Sequence, residues 1–175
     1  MKGFVTISKI RLADGRELST QAAVDYGWIC PTPGRQPAGW GLEKHEVPVG
    51  LNLVVDQGRQ CAAFVMGSKS PISDYTIAKF GVGTGLTAAK VTDVALEAAV
   101  ALGLSTTKAI DFVDFVSPFG LRAVFTVGLA EANGYMLSEI GLFSGNDTLI
   151  ARKVRAVSIN KTSDFAPTLT WRIRF

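Results

Sequence analysis

Thr168-Leu-Thr-Trp-Arg-Ile-Arg-Phe175 alternates two classes of residue without a break. Leu169, Trp171, Ile173 and Phe175 fall on one side of an extended chain, and Thr168, Thr170, Arg172 and Arg174 on the other, because successive side chains of a strand point to opposite faces. The pattern predicts a half-buried strand with an aromatic-rich inner face, and a chain that ends on Phe175 is expected to be tied into a core rather than frayed. The preceding segments share this character. Ala123-Val-Phe-Thr-Val-Gly-Leu129 puts Ala123, Phe125, Val127 and Leu129 on one face, and the runs from Tyr135 to Phe143 and from Thr148 to Val157 read as two further strands. Between them lie the turn clusters Glu131-Ala-Asn-Gly134, whose Asn-Gly suits the positive φ of a tight hairpin, and Ser144-Gly-Asn-Asp147. Four strands with short turns predict an antiparallel meander, whose apolar face needs a second layer to cover it.

Length and composition bound what the rest can be. A chain of 175 residues is expected to form one domain, and 47% hydrophobic against 19% charged residues is enough to bury a core. No apolar run reaches the ~18 residues of a membrane span. Met1-Lys-Gly-Phe-Val-Thr-Ile-Ser-Lys9 lacks the apolar stretch and small-residue cleavage site of a secretory leader, so synthesis in a cytoplasm is expected. Cys30 and Cys61 are too few for a disulfide framework and read as reduced thiols, Cys61 in the core. Net charge is +3, and the densest basic group is Arg152, Lys153 and Arg155, with Arg172 and Arg174 on a neighbouring strand. It reads as an outward sheet face kept soluble by long charged side chains. No aromatic residue interleaves with these arginines, as a single-stranded nucleic-acid platform requires.

The chain divides by composition into residues 1–50 and 51–175. Phe4 to Leu12 reads as a strand and Asp14-Gly15 as a turn. Pro31-Thr-Pro-Gly-Arg-Gln-Pro-Ala-Gly-Trp-Gly41, with Pro31, Pro33 and Pro37, has few backbone donors and reads as a loop or an extended arm. Trp28 and Trp40 are costly to leave in water, so the arm is expected to pack them either on this chain's own sheet or on a neighbouring subunit. Residues 52–66 read as an amphipathic helix capped by Asn52: Leu51, Val54, Val55, Gly58, Cys61, Ala62 and Val65 share one side, Asp56, Gln57, Arg59 and Gln60 the other, and Gly67-Ser68 stops it. This helix is expected to lie across one face of the sheet. Tyr75 to Phe80 reads as a strand ending in the glycine turn Gly81-Val-Gly-Thr-Gly85; Leu86 to Glu97 as irregular, with a helical turn possible over Val94 to Leu104; and Ile110 to Val116 as a strand. The expected fold class is mainly β: an antiparallel sandwich-like body with one amphipathic helix and an extended N-terminal arm.

Motifs of catalysis were tested in turn. Gly81, Gly83 and Gly85 space as G-x-G-x-G, whereas a dinucleotide loop needs G-x-G-x-x-G and an acidic residue about twenty positions on, where Val100-Ala-Leu-Gly-Leu104 has none. His45 is the only histidine, and neither cysteine is near it in sequence, so a nucleophilic triad or a zinc site has no supporting spacing. Asp111 with Asp114, and Glu43 with Glu46, read as solvated carboxylates. The sequence therefore predicts neither an enzyme nor a cofactor.

A series of motifs resembles a family. Gly81-Val-Gly-Thr-Gly-Leu-Thr87 and Thr92-Asp-Val-Ala-Leu-Glu97, followed by Glu131-Ala-Asn-Gly134, Ser138-Glu-Ile-Gly-Leu-Phe143, Leu149-Ile-Ala-Arg-Lys153, Ile159-Asn-Lys-Thr-Ser-Asp164 and Leu169-Thr-Trp171, resembles small virion proteins and fibre-attachment segments of tailed bacteriophages. The helix from Asn52 looks like the one that precedes the glycine turn in those proteins. The resemblance covers residues 50–175. It implies a structural adaptor in the tail, baseplate or fibre-attachment region of a virion, working through other virion proteins and assembled as a homo-oligomer, a trimer or hexamer. It brings no catalytic residue, cofactor or metal. Gly81, Gly83, Gly85, Trp171 and Phe175 are expected to be structural, and Trp28, Pro31, Pro33, Pro37 and Trp40 to contact partners. Two other readings stand beside it: a capsid decoration protein, and a carbohydrate-binding β-sandwich using Trp28, Trp40 and Tyr135.

Overall fold

A computed structural model of the chain describes residues 2–18, 29–31, 53–117 and 120–174, with side chains over 11–17, 53–115, 120–155 and 158–173. Trp28, Pro33, Pro37, Trp40, His45 and Phe175 lie outside the described residues, as does the Asn52 cap. The first strands are β1 (Lys2–Leu12), β2 (Glu17–Leu18), β3 (Ile29–Pro31) and β4 (Leu53–Val54), followed by helix α1 (Asp56–Met66). Then come β5 (Ile77–Gly83), β6 (Ala99–Val100), β7 (Lys108–Ala109) and β8 (Phe112–Ser117). The chain closes with β9 (Gly120–Thr126), β10 (Met136–Ser144), β11 (Leu149–Asn160) and β12 (Phe165–Arg174).

The strands build two antiparallel sheets. One has the order β2-β1-β12-β9-β8; the other runs β3-β11-β10-β5-β6, with β4 against β11 and β7 against β5. The inner faces meet in one core, where the Phe80 ring of β5 stacks on the Phe125 ring of β9 at 4.5 Å between centroids. The protein is a mainly β sandwich. β12 sits at the middle of its sheet with Leu169, Trp171 and Ile173 all buried, as the alternation predicts, and Ala123, Phe125 and Val127 line up beside them. Thr170, on the other face, is buried as well. β1 pairs with β12 from Lys2 to Leu12, so it is an integral strand of the same sheet.

The meander is corrected. β9 and β12 pair with each other in one sheet, while β10 and β11 pair in the other, so the chain crosses between sheets after β9 and again after β11. Alternation specifies that a strand has one buried face but not which of two facing sheets holds it. Glu131-Ala-Asn-Gly134 is accordingly a corner rather than a hairpin, with Ala132 and Gly134 at positive φ. The two crossings lie side by side: Gly134 N–H donates to the Lys161 carbonyl at 2.8 Å and Lys161 N–H to the Tyr135 carbonyl at 3.0 Å.

Three further expectations change. The helix begins four residues later than read, at Asp56; Leu53 and Val54 are extended because they pair with Arg152 and Ala151 of β11. Its stop is as expected, Gly67 N–H closing on the Ala63 carbonyl at 2.8 Å. Gly58 and Cys61 are buried, and the helix lies so close to β11 that a Cβ at Gly58 would meet the Ile150 carbonyl oxygen at 2.1 Å. Residues 94–104 form no helix; β6 pairs there with Val82 and Gly83. Finally, Arg152, Lys153 and Arg155 do not make a solvated face: they are buried, and their strand belongs to the other sheet from Arg172.

Trp171 gives the core its most direct test. It is fully buried, and its indole Nε1–H reaches no acceptor among the described residues. Trp171→Ala is expected to cost about 3–5 kcal/mol in urea unfolding. Trp171→Phe is expected to cost less than about 2 kcal/mol, because the larger part of the ring volume stays and no hydrogen bond is lost.

Candidate functional site

The glycines form a column under a carboxylate. Gly81 and Gly83 are not in a turn, as their spacing suggests, but inside β5, opposite Gly141 and Glu139 of β10. Directly opposite residues share a sheet face, so Gly81, Gly83, Glu139 and Gly141 lie together on the side away from the inter-sheet core. A Cβ at Gly83 would stand 2.4 Å from Glu139 Oε2 and 2.6 Å from the Ala98 carbonyl oxygen. One at Gly85 would stand 2.6 Å from the same Oε2. The glycines are there because the Glu139 carboxylate and the backbone of residues 97–98 occupy the space that side chains would fill.

Glu139 is completely buried and fully bonded. Its Oε1 accepts from Arg152 Nε at 2.6 Å and from Glu97 N–H at 2.7 Å, and its Oε2 accepts from Ala98 N–H at 3.2 Å. Arg152 stands opposite Gly141 on β11 and, at 3% exposure, spreads its remaining nitrogens to Asp93 Oδ2 at 2.8 Å and Glu97 Oε2 at 3.3 Å. Three carboxylates thus share one guanidinium. Neutral donors absorb the excess: Thr87 gives its N–H and hydroxyl to Glu97, and Lys90 N–H goes to Asp93. Burial works against ionisation of Asp93, but the Lys90 amide and Arg152 outweigh it and hold the carboxyl below its usual range. Glu97 is lowered chiefly by Thr87. Burial likewise opposes the charge on Arg152, and its bonds to Glu139 and Asp93 more than restore it.

The cluster fastens residues 84–98, which contain almost no regular structure, to the outer face of the second sheet. Ser138 Oγ bonds the Gly85 carbonyl at 2.9 Å, Thr84 N–H bonds the Ala98 carbonyl at 2.9 Å, and Leu96 packs with Phe143, Leu149 and Val55 in a small second core. Only Asp93 and Glu97 reach solvent, in a shallow dent beside Thr87 and Lys90.

A second cluster holds the crossings. The Lys161 ammonium is buried and donates to the Leu129 carbonyl at 3.2 Å, Asn133 Oδ1 at 2.8 Å and the Thr162 carbonyl at 2.7 Å. Burial lowers it to about 8, against the pull of Glu131 and Asp164. Glu131 accepts from Lys108 at 2.8 Å and from Gly128 N–H at 2.7 Å. Lys153, opposite the core residue Ile140, is pushed down to about 8 by burial, and Arg155 to about 10. Arg155 Nε and Nη1 reach no acceptor among the described residues.

The structure joins what the sequence kept apart. Gly83 and Gly85 meet Glu139 and Glu97; Gly81 lies against Thr106 and Phe143, and Trp171 is in the core on the far side of the sheet. Pro31 ends the edge strand β3, paired with Val157. Tyr135 is half exposed beside the corner. Asp111 accepts from the Thr126 hydroxyl, and Asp114 pairs with Arg122. Glu139 reads from sequence only as part of a motif, and Arg152 as part of a solvated basic face. The signal was charge inside apolar strands, Glu139 alone within Leu137–Phe143 and Arg152 first of three basic residues after Leu149-Ile-Ala151, where an unpaired ion is too costly to bury. Among the described residues no group of three or more His, Cys, Asp and Glu is placed to hold a metal ion.

Two outcomes follow from this geometry. Gly83→Ala is expected to cost more than about 2 kcal/mol in urea unfolding, since its Cβ meets a buried carboxylate and a backbone carbonyl. Acid is expected to loosen the fold: carboxyls lowered on folding stabilise it above their ordinary range and lose that contribution as pH falls through their lowered values. The urea midpoint should therefore hold above about pH 5 and drop steadily towards pH 3; a midpoint flat over that interval would contradict the cluster's role. No family model, no curated protein and no solved structure matches this chain.

Proposed function

We propose that this chain is a structural protein of a tailed-bacteriophage particle, an adaptor in the tail, baseplate or fibre-attachment region that works by contact with neighbouring virion proteins. The observation that carries the reading is the ordered motif series from Gly81 to Trp171 together with what its residues do. Asp93, Glu97, Glu139 and Arg152 spend their charges on one another in space that Gly83 and Gly85 leave clear, Lys161 bonds the sheet crossings, and Trp171 fills the core. Residues so engaged specify a rigid block rather than a reaction, which suits a protein whose task is to hold a position among others.

The test is the copy number of the protein in purified particles from its source, by quantitative mass spectrometry against the major capsid protein. A few to a few dozen copies per particle are expected. Hundreds would make it a capsid decoration protein instead, and absence from the particles would overturn the virion reading altogether.

A further inference from the structure

β8 is an edge that the fold leaves open. It pairs with β9 on one side and has no strand on the other among the described residues. The other edge and side strands, β2, β3, β4, β6 and β7, are two or three residues long, and β1 meets β2 only at Ile10 and Arg11, leaving its first half open as well among the described residues. β2 also carries Glu17 in an ion pair with Arg11, and β3 ends in proline. Short strands, charges and prolines are how sheets discourage pairing at their edges. β8, Phe112-Val-Asp-Phe-Val-Ser117, has six residues, no proline and one charge, Asp114, already held by Arg122 Nε at 2.9 Å.

Three of its side chains, Phe112, Val113 and Phe115, are apolar and exposed. Val113 and Phe115 stand opposite Ala123 and Leu121, on the face that forms the core further along the sheet, yet they are 42% and 87% exposed. Phe112, on the other face beneath the Arg122 guanidinium, is 48% exposed. The core face therefore runs on past the cover of the second sheet and stops at a strand edge that no other strand pairs with among the described residues.

We propose that β8 is a homotypic docking strand: two copies of this chain pair β8 to β8, antiparallel about a two-fold axis, and continue one five-stranded sheet into the next. A copy of the same chain fits because an antiparallel strand is self-complementary, each supplying the donors and acceptors that the other lacks. Alternation restricts the register. Setting Val113 of one copy opposite Phe115 of the other puts that apolar pair on the core face twice, once on each side of the axis. It also brings the two Asp114 residues face to face, each beside its own Arg122, which neutralises it. The contact rests on six residues per copy, small beside the ~1,200 Å² or more of ordinary stable interfaces, so the pair is expected to form at micromolar rather than nanomolar concentrations. The inference stands apart from the virion reading, although a two-fold contact is also what converts trimers into a hexamer.

Sedimentation equilibrium of the full chain over about 1 µM to 1 mM is the test. The wild type is expected to associate, and Phe115→Lys, at an exposed position that spares the core, to halve the assembly or raise its dissociation constant at least ~100-fold. Should that variant misfold by circular dichroism, Asp114→Cys replaces it: under mild oxidation the cysteines on the axis are expected to cross-link two copies, with the wild type as control for Cys30 and Cys61. A wild type monomeric throughout, a folded Phe115→Lys with unchanged mass, or an Asp114→Cys that does not cross-link would each overturn the pairing.

Discussion

A carboxylate with no access to water has to bring its own solvent, and Glu139 makes the outer half of this protein conform to that need. Its negative charge fixes Arg152 on the next strand. Its two oxygens also need backbone donors, Glu97 N–H for one and Ala98 N–H for the other, which draws residues 97–98 onto the sheet, and the space above must be vacated, which leaves glycine at 83 and 85. Arg152, once buried, requires further anions, and Asp93 and Glu97 come from the segment that has just been drawn in. Each requirement follows from the last, so a stretch with almost no regular structure is fastened to the sheet by ion pairs and hydrogen bonds. Truncating one member of such a set leaves the others buried and uncompensated, which costs more than the set contributes when intact.

The inner half obeys a different constraint. Two sheets close on aromatic residues from each, Phe80 against Phe125 with Trp171 beside them, and the chain must then change sheets twice. Both crossings pass the same corner, and Lys161 binds carbonyls on both while keeping its charge among oxygen atoms. Polar groups thus fix topology where apolar packing alone is indifferent to it. Arg155 fits neither scheme: its Nε and Nη1 are buried and meet no acceptor among the described residues.

Alternation made the strands legible: Leu169, Trp171 and Ile173 of β12 and Ala123 and Phe125 of β9 face the core as it predicts, whereas Leu129 lies beyond β9 and is exposed. The strands' partners were not legible, since the same alternation serves either of two facing sheets, and a corner and a hairpin use the same Asn-Gly chemistry. The helix start was misplaced because pairing with β11 outcompeted local helical spacing at Leu53 and Val54. The ion cluster was hidden for a deeper reason. Gly83, Asp93, Glu139 and Arg152 are far apart in sequence, and a charged run such as Arg152-Lys153 looks solvated until the carboxylate that buries it is known. Of the stretch from Trp28 to Trp40 the structure describes Ile29 to Pro31, which pair with β11; the two tryptophans lie outside the described residues.

These two halves give the molecule its functional character. The ion cluster fastens one face of the sandwich, the crossings hold one end, and the apolar edge at β8 faces outward. An open edge suits assembly, in keeping with the virion adaptor we propose. The claim beneath that reading is that Glu139 and Arg152 act as one architectural unit, and a double-mutant cycle measures it directly. Urea unfolding of Glu139→Gln, Arg152→Met and the double variant should show each single change costing about 3–5 kcal/mol, and the pair together at least about 1.5 kcal/mol less than their sum. Costs that add to within about 0.5 kcal/mol would contradict the account.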